Sequence, residues 1–223
     1  MTNDESPSPR TQPSAPAAIV QAGHHLSSLG LSRGTAGNVS MREGDLITIS
    51  PTGAVLGNLA PQELAVLTMD GAHVAGPRPS KEYPLHLALY RRDPEARAVV
   101  HLHSRHAAAV SCLPPWSASS ALPPITPYFV MRVGQTPLIP YAPPGDPVQA
   151  EGIENLGFAF RAVLLQNHGP VTAGTSMAAA IDAATELEEA CAIILALGDQ
   201  DPVPLSAQAT ADLSRRYGSP WSS

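Results

Sequence analysis

Residues 96–110, ARAVVHLHSRHAAAV, are apolar enough to demand a buried strand, yet they carry His101 and His103 two positions apart. A strand of this kind lies inside a sheet, so the rest of the chain must supply the elements that cover it. Side chains at i and i+2 of a strand project to the same face, so the two imidazoles point the same way. A histidine in such a place is either hydrogen-bonded within the core or a ligand for a metal ion. The pair alone leaves both readings open.

The composition allows one domain around that strand. With 43% hydrophobic residues, 223 positions suffice for one full core and are short for two. Residues 1–17, MTNDESPSPRTQPSAPA, are too rich in Ser, Pro and Thr to bury an apolar face and read as a disordered tail. Residues 18–223 are then a single domain. Within it, Ala18–Leu31 reads as a helix stopping near Gly30, and NVSMR with DLITIS as a hairpin. AVLTMDGAHVAG reads as a second hairpin about Asp70–Gly71. SKEYPLHLALYRRDP is helical, with Pro84 in the first turn, where its missing N–H costs nothing, and Pro94 past the end. RHAAAVSCL is a short helix, RAVLLQNHGPVTAG two strands about a tight turn at Asn167–Pro170, and SMAAAIDAATELEEACAIILALG a long helix. Residues 114–147 are proline-rich without clear periodicity, and PLIPY is the one strand legible there. The pattern is that of a mixed α/β sheet with helices packed on it.

A formal charge of −6 gives no electrostatic footprint for nucleic acid or for an anionic membrane. Cys112 and Cys191 sit in apolar company without CxxC spacing and read as reduced core residues. No run approaches the ~18–20 apolar residues of a membrane span, and no charged-then-apolar leader is legible. The expectation is a cytoplasmic chain.

Two histidines need at least one further ligand. His168, in the turn QNHGP beside a glycine that permits tight turning, is the natural third. Glu82, in PSKEYP at a helix start, is the fourth candidate, although a carboxylate there is also simply comfortable in the helix dipole. His24 and His25 read as surface residues of the first helix, and His73 and His106 fall outside the set. His86 also falls outside the set; it lies four positions after Glu82 on the same helix face, where a hydrogen bond or a supporting role is open to it. Three loops, GTAGNVS (34–40), SPTG (50–53) and PSK (79–81), offer N–H groups, hydroxyls and an ammonium. Any one of them is an ordinary turn. Together with the helix N-terminus they suggest an anion cradle.

In the order GNVS, ISPTG, PSKE, HLH, NHG, from about Ala17 to Gly198, the chain resembles the class II aldolase/adducin family. The resemblance implies α/β/α layers around a mostly antiparallel sheet. It implies a catalytic divalent metal, Zn2+ or Mn2+, on His101, His103, His168 and Glu82, with Glu82 as acid/base. It also implies a substrate phosphate on Asn38, Thr52, Gly53, Ser80 and Lys81, and a homotetramer. The residue before Glu82 is lysine where the family's aldolases usually have serine. PLHLALYRRDPEARAVVHLHSRHAAAVSCL and PPITPYFVMRVGQTPLIPYAPPGDP look most like the family's 3-oxo-tetronate 4-phosphate decarboxylases, which release CO2 and leave dihydroxyacetone phosphate. The alternatives are a zinc aldolase acting on a ketose 1-phosphate such as L-fuculose 1-phosphate, and a non-catalytic adducin-type binding module. An intact ligand set argues against the last. Tyr128 is a candidate for contact with a departing aldehyde and Arg132 for contact with a substrate carboxylate.

Overall fold

The computed structural model describes residues 13–222; most of the expected tail, residues 1–12, lies outside the described residues. Helix α1 (Ala15–Ser28) begins inside the stretch expected to be tail, because Pro16 stands in its first turn, where no N–H is needed. There follow β1 (Asn38–Glu43), β2 (Leu46–Ile49), β3 (Ala65–Thr68), β4 (His73–Ala75), α2 (Tyr83–Arg92), β5 (Ala98–His101) and α3 (Arg105–Val110). The chain continues with β6 (Leu138–Ile139), α4 (Pro147–Glu154), β7 (Ala162–Leu165), β8 (Gly169–Gly174), α5 (Met177–Leu197) and α6 (Ala207–Tyr217).

Among the described residues the strands form one eight-stranded sheet in the order β4-β3-β2-β1-β5-β8-β7-β6. The β6–β7 pair is parallel and the others are antiparallel. The sheet is therefore mixed α/β and mostly antiparallel, with helices on both faces. Alternation along the strands sorts the core. Val99, Val163, Leu165 and Val171 pack with Leu85, Leu89 and Ile153 under α2 and α4. Val39, Val100 and Leu102 pack on the other face against Ile19, Leu26 and Ala180 of α1 and α5. A third cluster joins Ala162 and Leu164 to Val110, Phe129, Leu187 and Cys191.

The structure differs from the sequence reading at several points. Cys191 is buried, as the sequence suggests, and burial pushes its thiol up. Cys112, also expected in the core, is exposed, because it follows the end of α3 and its Sγ turns back to Ala108 O. β5 ends at His101, so His103 lies just beyond the strand rather than within it. Helices α4 and α6 were not singled out by periodicity, yet both carry local start signals. Asp146 accepts from Val148 N ahead of Pro147, and Ser206 accepts from Ala209 N. Between α3 and β6 the chain makes one wide helical turn at Phe129–Val133.

Candidate metal centre and adjoining cleft

β5 lies between β1 and β8, and its C-terminal end is where the histidines project. Two glycines make the approach possible. A side chain at Gly169 would fall 2.3 Å from Leu102 O, and one at Gly37, whose φ is +86°, would fall 2.7 Å from His101 O. Asn167, with φ 57°, is the one described non-glycine residue in the left-handed region, and it turns the chain so that His168 faces β5. The main-chain N–H of His168 is held by Leu165 O at 3.1 Å and by Ser111 Oγ at 3.2 Å. Although His103 has left the strand, Leu102 N still donates to Pro170 O, which carries the sheet geometry one residue further. Glu82 stands at the N-cap of α2.

These elements bring one nitrogen from each histidine to a common point. His103 Nε2 lies 3.1 Å from His101 Nε2 and 2.9 Å from His168 Nε2. Glu82 Oε2 lies 3.4 Å from His101 Nε2, and Oε1 lies 3.2 Å from His168 Nε2. Among the described residues, Glu82, His101, His103 and His168 are the group whose ligand atoms lie within 4.8 Å of one another. Ligands about 2.0–2.1 Å from a tetrahedral ion are roughly 3.3 Å apart, which is the spacing seen.

The chemistry of the donors agrees with that geometry. His101 Nδ1 is 2.9 Å from Pro170 O, which fixes the proton on Nδ1 and leaves Nε2 with a lone pair facing the other rings. Burial, with Glu82 opposing and His168 and His103 assisting, pushes His101 down to about 4. Burial and then His168 lower His103 as well. Burial opposes ionisation of Glu82, yet His168, His101 and Asn38 together hold its carboxyl well below the usual carboxylate range. His101 and His103 are thus held toward the neutral imidazole and Glu82 toward the carboxylate, the forms that bind metal. Glu82 Oε1 is buried without a hydrogen-bond partner. Three imidazole nitrogens and a carboxylate oxygen converging this closely, with Oε1 unpartnered, make a donor set that fits a divalent metal ion.

The three loops singled out in the sequence are tied together. Ser50 N donates to Val39 O and Ser50 Oγ accepts from Val39 N, joining GNVS to SPTG. Thr52 N donates to Arg78 O and Ser80 N to Ser50 O, joining SPTG to PSK. The result is a cleft of about 470 Å³ whose lining includes Asn38, Thr52, Gly53, Ser80, Lys81, Glu82 and His103. Gly53 turns with φ +73°, Thr52 and Lys81 are exposed, and Ser80 is buried. Both ends of the Asn38 side chain are occupied. Nδ2 donates to Glu82 Oε2 at 2.8 Å, and Oδ1 meets His86 Nε2.

The other sequence candidates lie elsewhere. Tyr128 is exposed and stacks with Arg132, which lines a separate cleft with Arg161 and Tyr217. His24 and His25 are exposed, and His73 Nε2 contacts Ala75 O in its own hairpin. His106 is bound to Glu188, whose carboxylate also accepts from the N–H groups of His106 and Ala107 and so caps α3.

A cluster of side chains suited to a metal ion stands at the end of the sheet and opens into a cleft lined by a lysine and two hydroxyls. Residues 17–195 match the family described as Class II Aldolase and Adducin N-terminal domain, and the chain belongs to that family. It is 42% identical over 201 residues to a 3-oxo-tetronate 4-phosphate decarboxylase of Pectobacterium atrosepticum, covering 90% of this chain and 92% of the relative. The L-fuculose phosphate aldolase of Escherichia coli is more distant, at 34% over 190 residues, 84% of this chain and 86% of the relative. Among solved structures, YgbL of Klebsiella pneumoniae superposes with a TM-score of 0.85 at 40% identity, covering 89% of this chain and 97% of that one. The first two relatives are a decarboxylase and an aldolase, both carbon-carbon lyases, and the third is described by the alternatives aldolase, epimerase or decarboxylase.

Proposed function

We propose that the chain is a metal-dependent decarboxylase that takes a 3-oxo-tetronate 4-phosphate to dihydroxyacetone phosphate and CO2. The observation that carries the reading is the single cleft that joins Glu82 and His103 to Lys81, Ser80, Thr52 and Gly53. It suits a short substrate with a phosphate at one end and a ketone near the other. The higher identity to decarboxylases than to aldolases selects the leaving group.

His101, His103, His168 and Glu82 would hold the ion, which in this reading is zinc. When bound, it supplies Lewis-acid stabilisation of the negative charge that develops on the substrate oxygens as CO2 leaves. The bond between C1 and C2 breaks, and its electron pair stays on C2, conjugated with the C3 ketone. Glu82, ionised at rest, would take up a proton from solvent and pass it to C2, so that one proton enters as CO2 leaves. Lys81 binds the phosphate by charge, and Ser80 and Thr52 bind it by hydroxyl donation, with Gly53 allowing close approach and Asn38 closing the wall. The same reading makes the protein a cytoplasmic homotetramer, in keeping with its acidic balance and family.

The test is a product assay on the metal-loaded protein. With 3-oxo-tetronate 4-phosphates, CO2 and dihydroxyacetone phosphate should appear in equal amounts. Dihydroxyacetone phosphate and an aldehyde from L-fuculose 1-phosphate, without CO2 from the acids, would make it an aldolase instead.

A further inference from the structure

Behind Glu82 runs a buried polar chain of which the reaction as described uses only Asn38, as part of the cleft wall. Asn38 Nδ2 donates to Glu82 Oε2, and Asn38 Oδ1 meets His86 Nε2. His86 Nδ1 is 2.7 Å from Ser40 Oγ, and Ser40 Oγ is 2.7 Å from Tyr90 Oη. His86 and Ser40 are fully buried, Tyr90 is 1% exposed and Asn38 3%. The participants come from β1 and α2, so the chain crosses from the sheet to the helix that carries Glu82 at its start.

The direction of the protons follows from the Asn38 amide. Its NH2 nitrogen, Nδ2, lies 2.8 Å from Glu82 Oε2 and donates to it. Asn38 then turns its oxygen to His86, and His86 Nε2 must carry a proton. Burial, with His101 assisting and Glu82 opposing, pushes His86 down to about 3, so the ring is neutral and Nδ1 is bare. Nδ1 therefore accepts from the Ser40 hydroxyl, which accepts in turn from Tyr90. Each donor points toward Glu82, and hydrogen bonds in one such line polarise and strengthen one another. The line ties down Oε2 and leaves Oε1, which has no hydrogen-bond partner, turned toward His168.

We infer that Tyr90, Ser40, His86 and Asn38 are positioning residues that act through one hydrogen-bond line to fix the Glu82 carboxylate against the three histidines. This rests on the reading of Glu82 as ligand and acid/base, and it adds a set of supporting residues with a defined tautomer. Asn38 thereby acts on the carboxylate as well as bordering the cleft.

The experiment has two arms. In the metal-free wild-type protein, 15N NMR of labelled histidine should show His86 protonated at Nε2 and unprotonated at Nδ1. A proton on Nδ1 would reverse the line and overturn the inference, whatever the enzyme's activity. In the second arm, His86→Phe keeps a ring and removes both nitrogens, and it should lower kcat roughly 10- to 100-fold, with metal content unchanged and KM within a few-fold. His86→Gln, which can place an N–H where Nε2 stood, should recover most of that loss, which a purely structural role would not produce. Should His86→Phe fail to fold, Tyr90→Phe, which deletes one hydroxyl at the far end, should give a smaller fall in kcat in the same direction. A folded, metal-bearing His86→Phe with wild-type kcat would refute the inference. A wild-type protein that releases neither CO2 nor aldehyde would defeat the functional reading and leave the tautomer result standing.

Discussion

At the metal end Glu82 and His101 are buried, His168 is half-buried and His103 opens to the cleft, whereas at the other end Thr52, Gly53 and Lys81 are exposed and Ser80 is buried. In the proposed reading the two ends of the site differ because their tasks differ. Stabilising charge that appears only during reaction needs donors fixed in advance, since reorganisation at that moment would cost what the site is meant to supply. The cluster is accordingly locked by backbone contacts, with His101 on Pro170 O and the His168 N–H on Ser111 and Leu165. A phosphate arrives already charged and can be held by adaptable groups in partial contact with water. Damage at the buried end should therefore abolish chemistry, and damage at the exposed end should weaken binding by a bounded amount.

The largest effect belongs to His103→Ala, which removes the one ring whose Nε2 lies within hydrogen-bond distance of both other histidines. Metal analysis of the purified variant should show most of the ion lost, and turnover lost with it. Full metal retention would remove His103 from the ligand set.

Glu82→Gln comes next. It keeps the size of the side chain but cannot shuttle a proton, so the rate should fall roughly 10²–10⁴-fold while the three histidines retain the metal. Solvent deuterium should also cease to enter the product normally at the carbon that lost CO2. Near wild-type turnover with deuterium still incorporated would leave Glu82 a ligand without a proton-transfer role.

Lys81→Ala tests the exposed end. Loss of a charge-assisted contact of about 1.5–3 kcal/mol should lower kcat/KM roughly ten- to a hundredfold without changing metal content. An unaltered kcat/KM would place the phosphate elsewhere, and metal loss would show that the two ends are not separable.

A smaller effect concerns the metal-free protein and pH. His86 and His101 are held down to about 3 and about 4, below the ordinary value of 6.5. Between those values the unfolded chain binds more protons than the folded one, so stability rises with pH there and is lost as pH falls below about 6.5. The lowered Glu82 carboxyl acts with the same sign at still lower pH. Urea midpoints of the metal-free protein should drop between pH 7 and pH 5. A flat profile would mean that the buried rings are not held neutral.

The buried end was the more legible in sequence, because its signals are local and periodic. The strand period put His101 and His103 on one side, QNHGP marked a turn able to present His168, and PSKEYP marked a helix start at Glu82. The fold followed the same logic where hairpins and amphipathic helices dominate. Legibility failed between residues 114 and 146, where prolines remove the backbone donors on which periodic structure depends. It failed too at His103, which reaches the cluster through the Leu102–Pro170 bond after β5 has ended. The contact between Asn38 and His86 spans 48 positions and has no local signature, so only the packing of α2 on the sheet reveals it. Cys112 misled because apolar neighbours do not bury a residue that follows the last turn of a short helix.

Four side chains converge as if for one ion, and the most direct test is to look for that ion. Crystals of the protein loaded with zinc, with diffraction recorded on either side of the zinc absorption edge, should show a single strong anomalous peak per chain. The peak should be ligated by Nε2 of His101, His103 and His168 and by the Glu82 carboxylate. A peak held by other residues, or no peak at these four in protein shown to be folded, would contradict the account.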